Sequence, residues 1–299
     1  MNNNIKFSVI IPHYQSFNTL YRLLKTIPNS PSIQVIVVDD NSPEKNKLND
    51  LKLKFSSFQF IELEENSGAG KARNEGLRIA KGKWLIFADA DDYFVSGSFD
   101  CFIDNYNNSS DVIFFKFQSW DETLNQASNR QVRRNQFVDD FKAKQIRSED
   151  NLRYRWHCPW SKMIRKSLID KHSIKFDETQ YSNDLMFSIK VGYFAKSIDA
   201  DDRIVYCVTV SPNSLTKKVD YSSIMCRFQI LINCNNFLKS VGEKKNQAVV
   251  LRYYIIAVRY APKCIVPMFK LGLKNNSSIF DGLNKWFEVF KFRTKFSHF

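Results

Sequence analysis

The chain has 299 residues, 43% of them hydrophobic, which is enough for a folded core and excludes a disordered chain. The N-terminal apolar run stops at Pro12, so we expect no signal peptide, and no stretch reaches the roughly 18 uncharged apolar residues that span a bilayer. The net charge is +13, and the six cysteines form neither a CxxC pair nor a zinc-finger pattern with histidine, so we expect reduced thiols in a cytoplasmic protein.

The first 117 residues alternate between strand and helix patterns. Continuous or alternating β-branched and aromatic residues predict strands over 7–14, 33–40, 58–66, 83–92 and 111–117. Apolar spacing, or a proline at the start, predicts helices over 17–27, 43–54 and 68–82. This order predicts an α/β fold with a mostly parallel central sheet that is flanked by helices.

The remaining chain has three parts. Residues 118–150 are polar and irregular, and we predict a mobile loop there. Residues 156–215 return to mixed α/β patterning, and from about residue 221 the pattern is helical, aromatic and basic. We therefore predict one domain over 1–216 and a helical C-terminal extension over 217–299.

Two acidic clusters follow predicted strands. Asp39 and Asp40 end the second strand, and Asp89, Asp91 and Asp92 end the fourth. Because ligands of such sheets bind beyond the carboxyl ends of the strands, both clusters should lie at one binding edge. Carboxylates one residue apart can hold Mg²⁺ or Mn²⁺ together with phosphate oxygens. The alternatives are that the second cluster caps the following segment and that the first only forms a turn.

A third element is the stretch "NSGAGKARNEG" at the start of the third predicted helix. It is not a Walker A sequence, because no Ser or Thr follows Lys71, and it is not G-x-G-x-x-G, because position 73 is Arg. Small residues at a helix start leave backbone N–H groups open. Together with the cations Lys71 and Arg73 they are suited to binding a phosphate.

The three elements together resemble the family 2 glycosyltransferases of the GT-A fold. The matching stretches, within about residues 6–215, are "FSVIIPHYQSFNTLYRLLKTI", "IQVIVVDDNS", "ENSGAGKARNEGLRIAKGKWLIFADADDYF", "PWSKMIRKSLI" and "YSNDLMFSIKV". The resemblance implies a nucleotide-diphospho-sugar donor, with UDP expected, a Mn²⁺ or Mg²⁺ cofactor, and inversion of the anomeric centre. It also implies a donor half over 1–117 and an acceptor half over 118–216 of a catalytic domain.

The resemblance assigns roles to individual side chains. Those that it places at the nucleotide or the metal are Pro12, Tyr14, Asp39, Asp40, Arg73, Asp89 and Asp91. Asp40 is the expected base contact, and Pro12 and Tyr14 border the nucleotide. Asp91 is the expected direct metal ligand, and Asp89 faces either ribose or the metal.

The acceptor side departs from the family pattern. The family motif is commonly Glu-Asp, whereas this chain has Asn183-Asp184. The resemblance implies that Asp184 is the base that takes the proton of the acceptor hydroxyl. The alternative is that Asn183 or Asp184 only caps the next helix. Because this Glu is missing, it is open which residue contacts the acceptor in its place, or adjusts the pKa of the base.

Two further pairs of residues are candidates for this site. His157 and His298 are each a candidate for a third metal ligand, although a lone His is more often structural. Trp156 and Trp160 could stack on a sugar ring, and we expect core packing for Trp160.

The positive charge is concentrated at the end of the chain. Residues 217–299 hold 15 basic and 4 acidic residues, a net charge of +11, whereas residues 1–216 hold 29 basic and 27 acidic ones. Aromatic and apolar residues recur there at helical spacing, at Phe280, Leu283, Phe287 and Phe290. This predicts an interfacial helix at the membrane surface, and the alternative is that it docks on the catalytic domain. There is no nucleic-acid motif, so we expect no nucleic-acid partner.

We therefore predict a metal-dependent enzyme that transfers a sugar to a glycan hydroxyl, including lipid-linked acceptors, in bacterial capsule, lipopolysaccharide or exopolysaccharide assembly. Its expected location is the cytoplasm, at the inner face of the cytoplasmic membrane. A nucleotidyltransferase is one alternative, but it would need a Gly-rich basic loop after the first strand, where this chain has "IPHYQSFN". A non-catalytic nucleotide- or glycan-binding relative is the other, and the retained acidic residues argue against it.

Overall fold

The computed structural model describes residues 5–210 and 218–283, and the chain divides into two compact units, 1–213 and 214–299. The strands of the first unit are β1 (Phe7–His13), β2 (Ile33–Asp39), β3 (Gln59–Glu62), β4 (Trp84–Phe87), β5 (Tyr93–Phe94), β6 (Val112–Asp121), β7 (Gln126–Ala127), β8 (Lys162–Arg165) and β9 (Ile198–Val210). Its helices are α1 (Phe17–Lys25), α2 (Lys45–Lys54), α3 (Ala69–Ile79), α4 (Ser98–Asp104), α5 (Val132–Lys142), α6 (Ser148–Arg155), α7 (Lys166–His172) and α8 (Leu185–Phe194).

The described strands form one mixed sheet. Their order is β3-β2-β1-β4-β8-β6-β9-β5, and β7 pairs with β6. The first four strands in this order are parallel, as the βα alternation predicts. Beyond β4 the sheet is mixed, because β8 runs antiparallel to both of its neighbours while β6 and β9 are parallel. The carboxyl ends of β1 to β4 therefore lie at one edge.

Burial explains why the first strands are apolar throughout. Every residue of β1 is buried, and so is every residue of β2 after Ile33, because helices cover both faces of the sheet. Helix α3 approaches β1 closely at Gly76, where an added Cβ would lie 2.5 Å from Cγ2 of Ile10. It approaches the segment before α8 at Gly70, where an added Cβ would lie 2.0 Å from the carbonyl oxygen of Asp177.

The prediction of an irregular loop over 118–150 is wrong. Strand β6 continues to Asp121, β7 follows, helix α5 occupies the middle of the segment, and α6 begins at its end. These helices are polar because they bury few side chains: Phe137 and Val138 are the buried hydrophobic residues of α5. Their apolar period is therefore weak in the sequence.

Two predicted strands are shorter than their patterns suggested. Strand β3 ends at Glu62 and β4 ends at Phe87. After β4 the acidic residues form a turn, in which the N–H of Asp92 donates to the carbonyl of Asp89 at 3.0 Å. A carboxylate cluster at a strand end thus occupies the loop and not the strand.

The second unit is helical over its described residues. Its helices are α9 (Tyr221–Ser240), α10 (Leu251–Tyr260) and α11 (Ile265–Lys274), which confirms the helical C-terminal region. Asp220 and Ser223 form a capping box at the start of α9, and Phe228 lies in the small core. None of the described helices is both long and apolar enough to cross a membrane. Phe287 and Phe290 of the predicted interfacial helix lie outside the described residues.

Candidate functional site

The ends of β1 and β2 are joined by a buried network around Asp39. His13 is paired with Asp39 in the sheet register, and its Nδ1 lies 2.7 Å from Asp39 Oδ1. Ser42 donates to both Asp39 oxygens, through Oγ at 2.6 Å and through its backbone N–H at 2.8 Å. The N–H of Ser16 donates to His13 Nε2 at 3.2 Å, so the imidazole proton is on Nδ1 and is donated to Asp39.

This network keeps Asp39 charged. Burial alone would raise the pKa of Asp39, but the hydrogen bonds from His13 and Ser42 outweigh it and lower the pKa below the usual value. Asp39 therefore holds the loops that follow β1 and β2 together through these hydrogen bonds. The family resemblance selected Pro12 and Tyr14 but missed His13 between them. Pro12 is buried in β1, whereas the Tyr14 side chain is 45% exposed beyond the strand end.

Asp40 directly follows β2, and its side chain contacts the residues that lead into α3. Its carboxylate accepts hydrogen bonds from the backbone N–H groups of Ser67, at 2.8 Å, and Gly68, at 2.7 Å. Gly68 has φ of +89°, a conformation that favours glycine. The contact fixes the first turn of α3 against the end of β2, which aims the small-residue helix start at the same edge as the acidic clusters.

Arg73 on the buried face of α3 contacts both sides of the site. Its guanidinium donates to Oδ1 of Asp89 at 2.6 Å and to Oδ1 of Asn183 at 2.8 Å. It also lies 5.3 Å from the centre of the Phe176 ring, and its Nε is buried without a partner among the described residues. One cation thus joins Asp89, the first aspartate of the acidic cluster after β4, to the residue that precedes Asp184.

Other α3 side chains hold the segment before α8. The Asn74 amide exchanges two hydrogen bonds with the backbone of Phe176, at 2.9 and 3.0 Å. Lys71, by contrast, lies at the surface beside two acidic side chains, with Nζ 3.4 Å from Glu75 and 3.8 Å from Glu178. Helix α3 therefore places Arg73, but not Lys71, between the two halves of the site.

The acidic turn after β4 is held by β9. The N–H of Asp89 donates to the Tyr206 hydroxyl at 2.8 Å. Thr209 donates to Asp92 Oδ1 through its N–H and to the carbonyl of Asp91 through its Oγ1, both at 2.8 Å. Asp92 is buried and is hydrogen-bonded to β9, whereas Asp89 is half-buried and Asp91 belongs to the exposed residues.

Among the residues that the structure describes, these three aspartates form the group that could hold a divalent cation. One oxygen from each lies within 4.8 Å of the others, and oxygen ligands suit Mg²⁺ and Mn²⁺. The surrounding protein raises the pKa of Asp91 to about 6 although its side chain is open to solvent, and the charge of Asp89 adds to this. Burial, with the charges of the other two, raises the pKa of Asp92 well above its usual value. A cation would relieve this repulsion.

Of the two candidate third metal ligands, His157 is described, and it is not part of this cluster. His157 is absent from the described group of ligands, and its Nε2 donates to the carbonyl of Tyr154 at 2.9 Å. Burial lowers the pKa of His157 to about 3, so the ring is neutral. His298 lies outside the described residues.

Asp184 occupies the N-cap position directly before α8, but its side chain does not cap the helix. Within the described chain its carboxylate makes no capping hydrogen bond, so the capping alternative is not realised. The residue as a whole is half-buried. Burial raises the pKa of Asp184, the charge of Arg73 opposes this, and the charge of Asp89 adds to it. A raised pKa makes the carboxylate a stronger base.

The segment from Trp156 to Lys162 lines the interior behind Asp184. Lys162 is buried and donates to the carbonyl of Trp156 at 2.8 Å, and burial lowers its pKa to about 7. Trp156 is fully buried, and Trp160 stacks on the Tyr206 ring with centroids 5.6 Å apart. Both tryptophans therefore pack in the core, as we expected for Trp160.

Two arginines near the site were missed. The Arg134 guanidinium lies 5.9 Å from the centre of the Trp160 ring, and its Nε is buried without a partner among the described residues. The positive charge of Arg130 lowers the pKa of Asp91, and both arginines act against the burial that raises the pKa of the Cys158 thiol. The available signal was the run "NRQVRRNQ", which we had assigned to an irregular loop.

Comparison with known sequences gives a family. Residues 8–172 match the sequence profile described as Glycosyl transferase family 2. The chain is 28% identical over 217 residues to poly(ribitol-phosphate) beta-N-acetylglucosaminyltransferase TarP of Staphylococcus aureus (strain N315), a match covering 69% of this chain and 63% of TarP. It is 21% identical to the putative glycosyltransferase EpsH of Bacillus subtilis (strain 168), covering 71% of this chain and 62% of EpsH. The chain thus spans less than two thirds of the length of these relatives.

Comparison with solved structures supports the same fold. The S. aureus TarS 1-349 structure in complex with UDP-GlcNAc matches with a TM-score of 0.65 and 22% identity, over 86% of this chain and 74% of TarS 1-349. The mannosyltransferase PcManGT from Pyrobaculum calidifontis, in complex with GDP-Man and Mn²⁺, matches with a TM-score of 0.58 and 14% identity, over 91% and 79% of the two chains. The sheet, the acidic strand ends and the match over residues 8–172 identify the chain as a member of glycosyl transferase family 2, with the GT-A fold.

Proposed function

We propose that the chain transfers a sugar from a nucleotide-diphosphate donor, UDP-linked, to a hydroxyl of a surface glycan or a related polymer. The observation that carries this proposal is the pair of hydrogen bonds from Arg73 to Asp89 and Asn183. They bring the acidic strand end, where a donor diphosphate would bind, next to a free carboxylate at Asp184. The solved relatives with UDP-GlcNAc and GDP-Man support a nucleotide-sugar donor.

The donor side would use the ends of β1 to β4. Tyr14 is exposed beyond β1 and would border the base together with Pro12. Asp40 keeps free lone pairs beyond its two backbone contacts and would accept from the base. Asp39 would hold the nucleoside loops in place. The N-terminus of α3, with Lys71 at its surface, would face the phosphates.

The acidic turn fits Mn²⁺ or Mg²⁺. Asp89 and Asp91 would hold the cation, because Asp92 is already bonded to Thr209. When bound, such an ion supplies positive charge that stabilises the leaving diphosphate. The Mn²⁺ bound with GDP-Man in PcManGT supports this choice of metal.

The acceptor side would centre on Asp184. Its carboxylate would take the proton of the acceptor hydroxyl as that oxygen attacks the anomeric carbon. Attack from the side opposite the diphosphate inverts the anomeric centre. The raised pKa of Asp184 favours proton capture, and the charge of Arg73 opposes that rise.

The acceptor is proposed to carry phosphate. The charge of Arg130 acts on Asp91, and the charges of Arg130, Arg134 and Asp184 all act on the Cys158 thiol. The printed name of TarP specifies a poly(ribitol-phosphate) acceptor, and the phosphate groups of such a polymer are negatively charged. The setting would be assembly of a bacterial surface polymer in the cytoplasm at the inner membrane face.

We expect Asp184→Asn to abolish proton capture while keeping the shape of the site. The transfer rate should fall by about 10²–10⁴-fold, the range for loss of a general base. Donor binding should be unchanged, because the acceptor side is separate. Single-turnover transfer and calorimetric titration with UDP would measure the two effects, and Asp177→Asn, on the same segment, is the matched control. A variant within a few-fold of the wild-type rate would place the base elsewhere.

We expect Asp91→Asn to weaken the binding of Mn²⁺ and of UDP in the presence of Mn²⁺, because a hard cation loses one of its two open carboxylates. Titration with Mn²⁺, followed by electron paramagnetic resonance, measures the free ion directly. The control is Asp100→Asn, an acidic residue of α4. Unchanged Mn²⁺ binding, or full activity of the wild type after chelation, would contradict the metal assignment.

We expect Arg134→Gln to raise KM for a phosphate-bearing acceptor by about tenfold, the cost of roughly 1.4 kcal/mol of charge-assisted hydrogen bonding. KM for the donor should not change, which separates an acceptor contact from a donor contact. Lys144→Gln removes an exposed positive charge from the same region and is the control. An equal rise for a neutral acceptor, or a rise in donor KM, would refute the phosphate contact.

A further inference from the structure

Helices α10 and α11 of the second unit have an apolar outer face. Both helices turn their inner side to a small core, with Ala257 and Met268 fully buried. On α11 the outward residues Val266, Phe269 and Leu273 recur at three- and four-residue spacing, with side chains that are 63%, 53% and 63% exposed. Isolated exposed apolar side chains are ordinary, but a row along one helix is not.

The same face is strongly basic. Residues 251–274 hold five Lys or Arg and no Asp or Glu. Lys270 and Lys274 are exposed next to the apolar row of α11. Helix α10 repeats the pattern with Ile255 and Val258, which are 50% and 62% exposed. We use the term "α10–α11 outer face" for the exposed residues Arg252, Ile255, Val258, Arg259, Lys263, Val266, Phe269, Lys270, Leu273 and Lys274.

We propose that the α10–α11 outer face docks on an anionic lipid surface. Apolar side chains that are flanked by lysines match a bilayer interface, where acyl chains lie beneath a layer of negative headgroups. The apolar row would enter the headgroup boundary while the basic side chains extend to the phosphates. The site is distinct from the predicted tail helix, because it lies wholly within described residues before Asn275.

Charge argues against the other occupants. A second copy of the chain in a two-fold dimer would place this face against itself, with five positive charges on each side and none negative. The chain's own residues 284–299 carry Lys285, Lys291, Arg293 and Lys295 against one acidic residue, so they have the same sign. Nucleic acid matches the charge but offers no apolar layer for Val266, Phe269 and Leu273.

The test is vesicle flotation of the full-length protein. We compare vesicles of phosphatidylcholine alone with vesicles that also contain phosphatidylglycerol. The wild type should float with the anionic vesicles and not with the neutral ones. Lys270→Gln with Lys274→Gln should weaken binding by about fivefold per lysine at low salt and less at high salt.

A second variant pair separates the apolar contribution. Phe269→Ser with Leu273→Ser should reduce binding at every salt concentration, because salt does not screen apolar burial. Both side chains are more than half exposed, so the fold should tolerate the change. The matched control is Leu53→Ser with Leu124→Ser, at positions that are 78% and 63% exposed in the first unit, and it should bind like the wild type.

Three results would overturn the proposal. One is equal flotation of the wild type with neutral and anionic vesicles. Another is full binding by the Phe269 and Leu273 variant together with loss of binding when residues 284–299 are deleted, which would assign the contact to the tail. The third is sedimentation of the wild type as an oligomer, while the Phe269 and Leu273 variant sediments as a monomer. This result would assign the face to a second copy. None of these results bears on sugar transfer, which the first unit would perform.

Discussion

The candidate site depends on the guanidinium of Arg73, which contacts the turn after β4 and the segment before α8 at the same time. Arg73 is 5% exposed and lies between Asp89 on the strand-end turn and Asn183 beside Asp184. A buried cation is costly unless it is paired, and here its partners come from segments more than 90 residues apart in the sequence. Losing the Asp89 contact would leave a buried charge without compensation, and losing the Asn183 contact would remove one hydrogen-bond acceptor of the guanidinium. The donor and acceptor sides are therefore fixed relative to each other by one side chain on α3.

The same constraint explains why an Asn at position 183 is compatible with this arrangement. Arg73 already has one full negative partner in Asp89, and the neutral Asn183 oxygen completes its hydrogen bonds without adding another charge. A second carboxylate would further raise the pKa of Asp184, which the charge of Asp89 already raises. The departure from Glu-Asp therefore lowers the negative charge around Asp184, the proposed base, while keeping the contact to α3.

Much of this could be predicted from the sequence, and the failures have physical causes. The parallel half of the sheet follows from continuous apolar runs, and the acidic strand ends follow from the position of Asp89 and Asp91 after such a run. Helices α5 and α6 were missed because they bury few side chains, so their apolar period is weak. The roles of His13 and Thr209 were not predictable, because their partners are distant in sequence and only the fold brings them together.

A double-mutant cycle on Arg73 and Asn183 tests the central claim most directly. The variants are Arg73→Gln, Asn183→Ala and their combination, and the measured quantity is kcat/KM for sugar transfer, with thermal unfolding as a check on folding. If Arg73 couples the two sides, the effects are not additive, and the coupling energy is about 1 kcal/mol or more, within the range for contacting residues. Additive effects within about 0.3 kcal/mol would mean that Arg73 serves only the donor side, which would contradict the account.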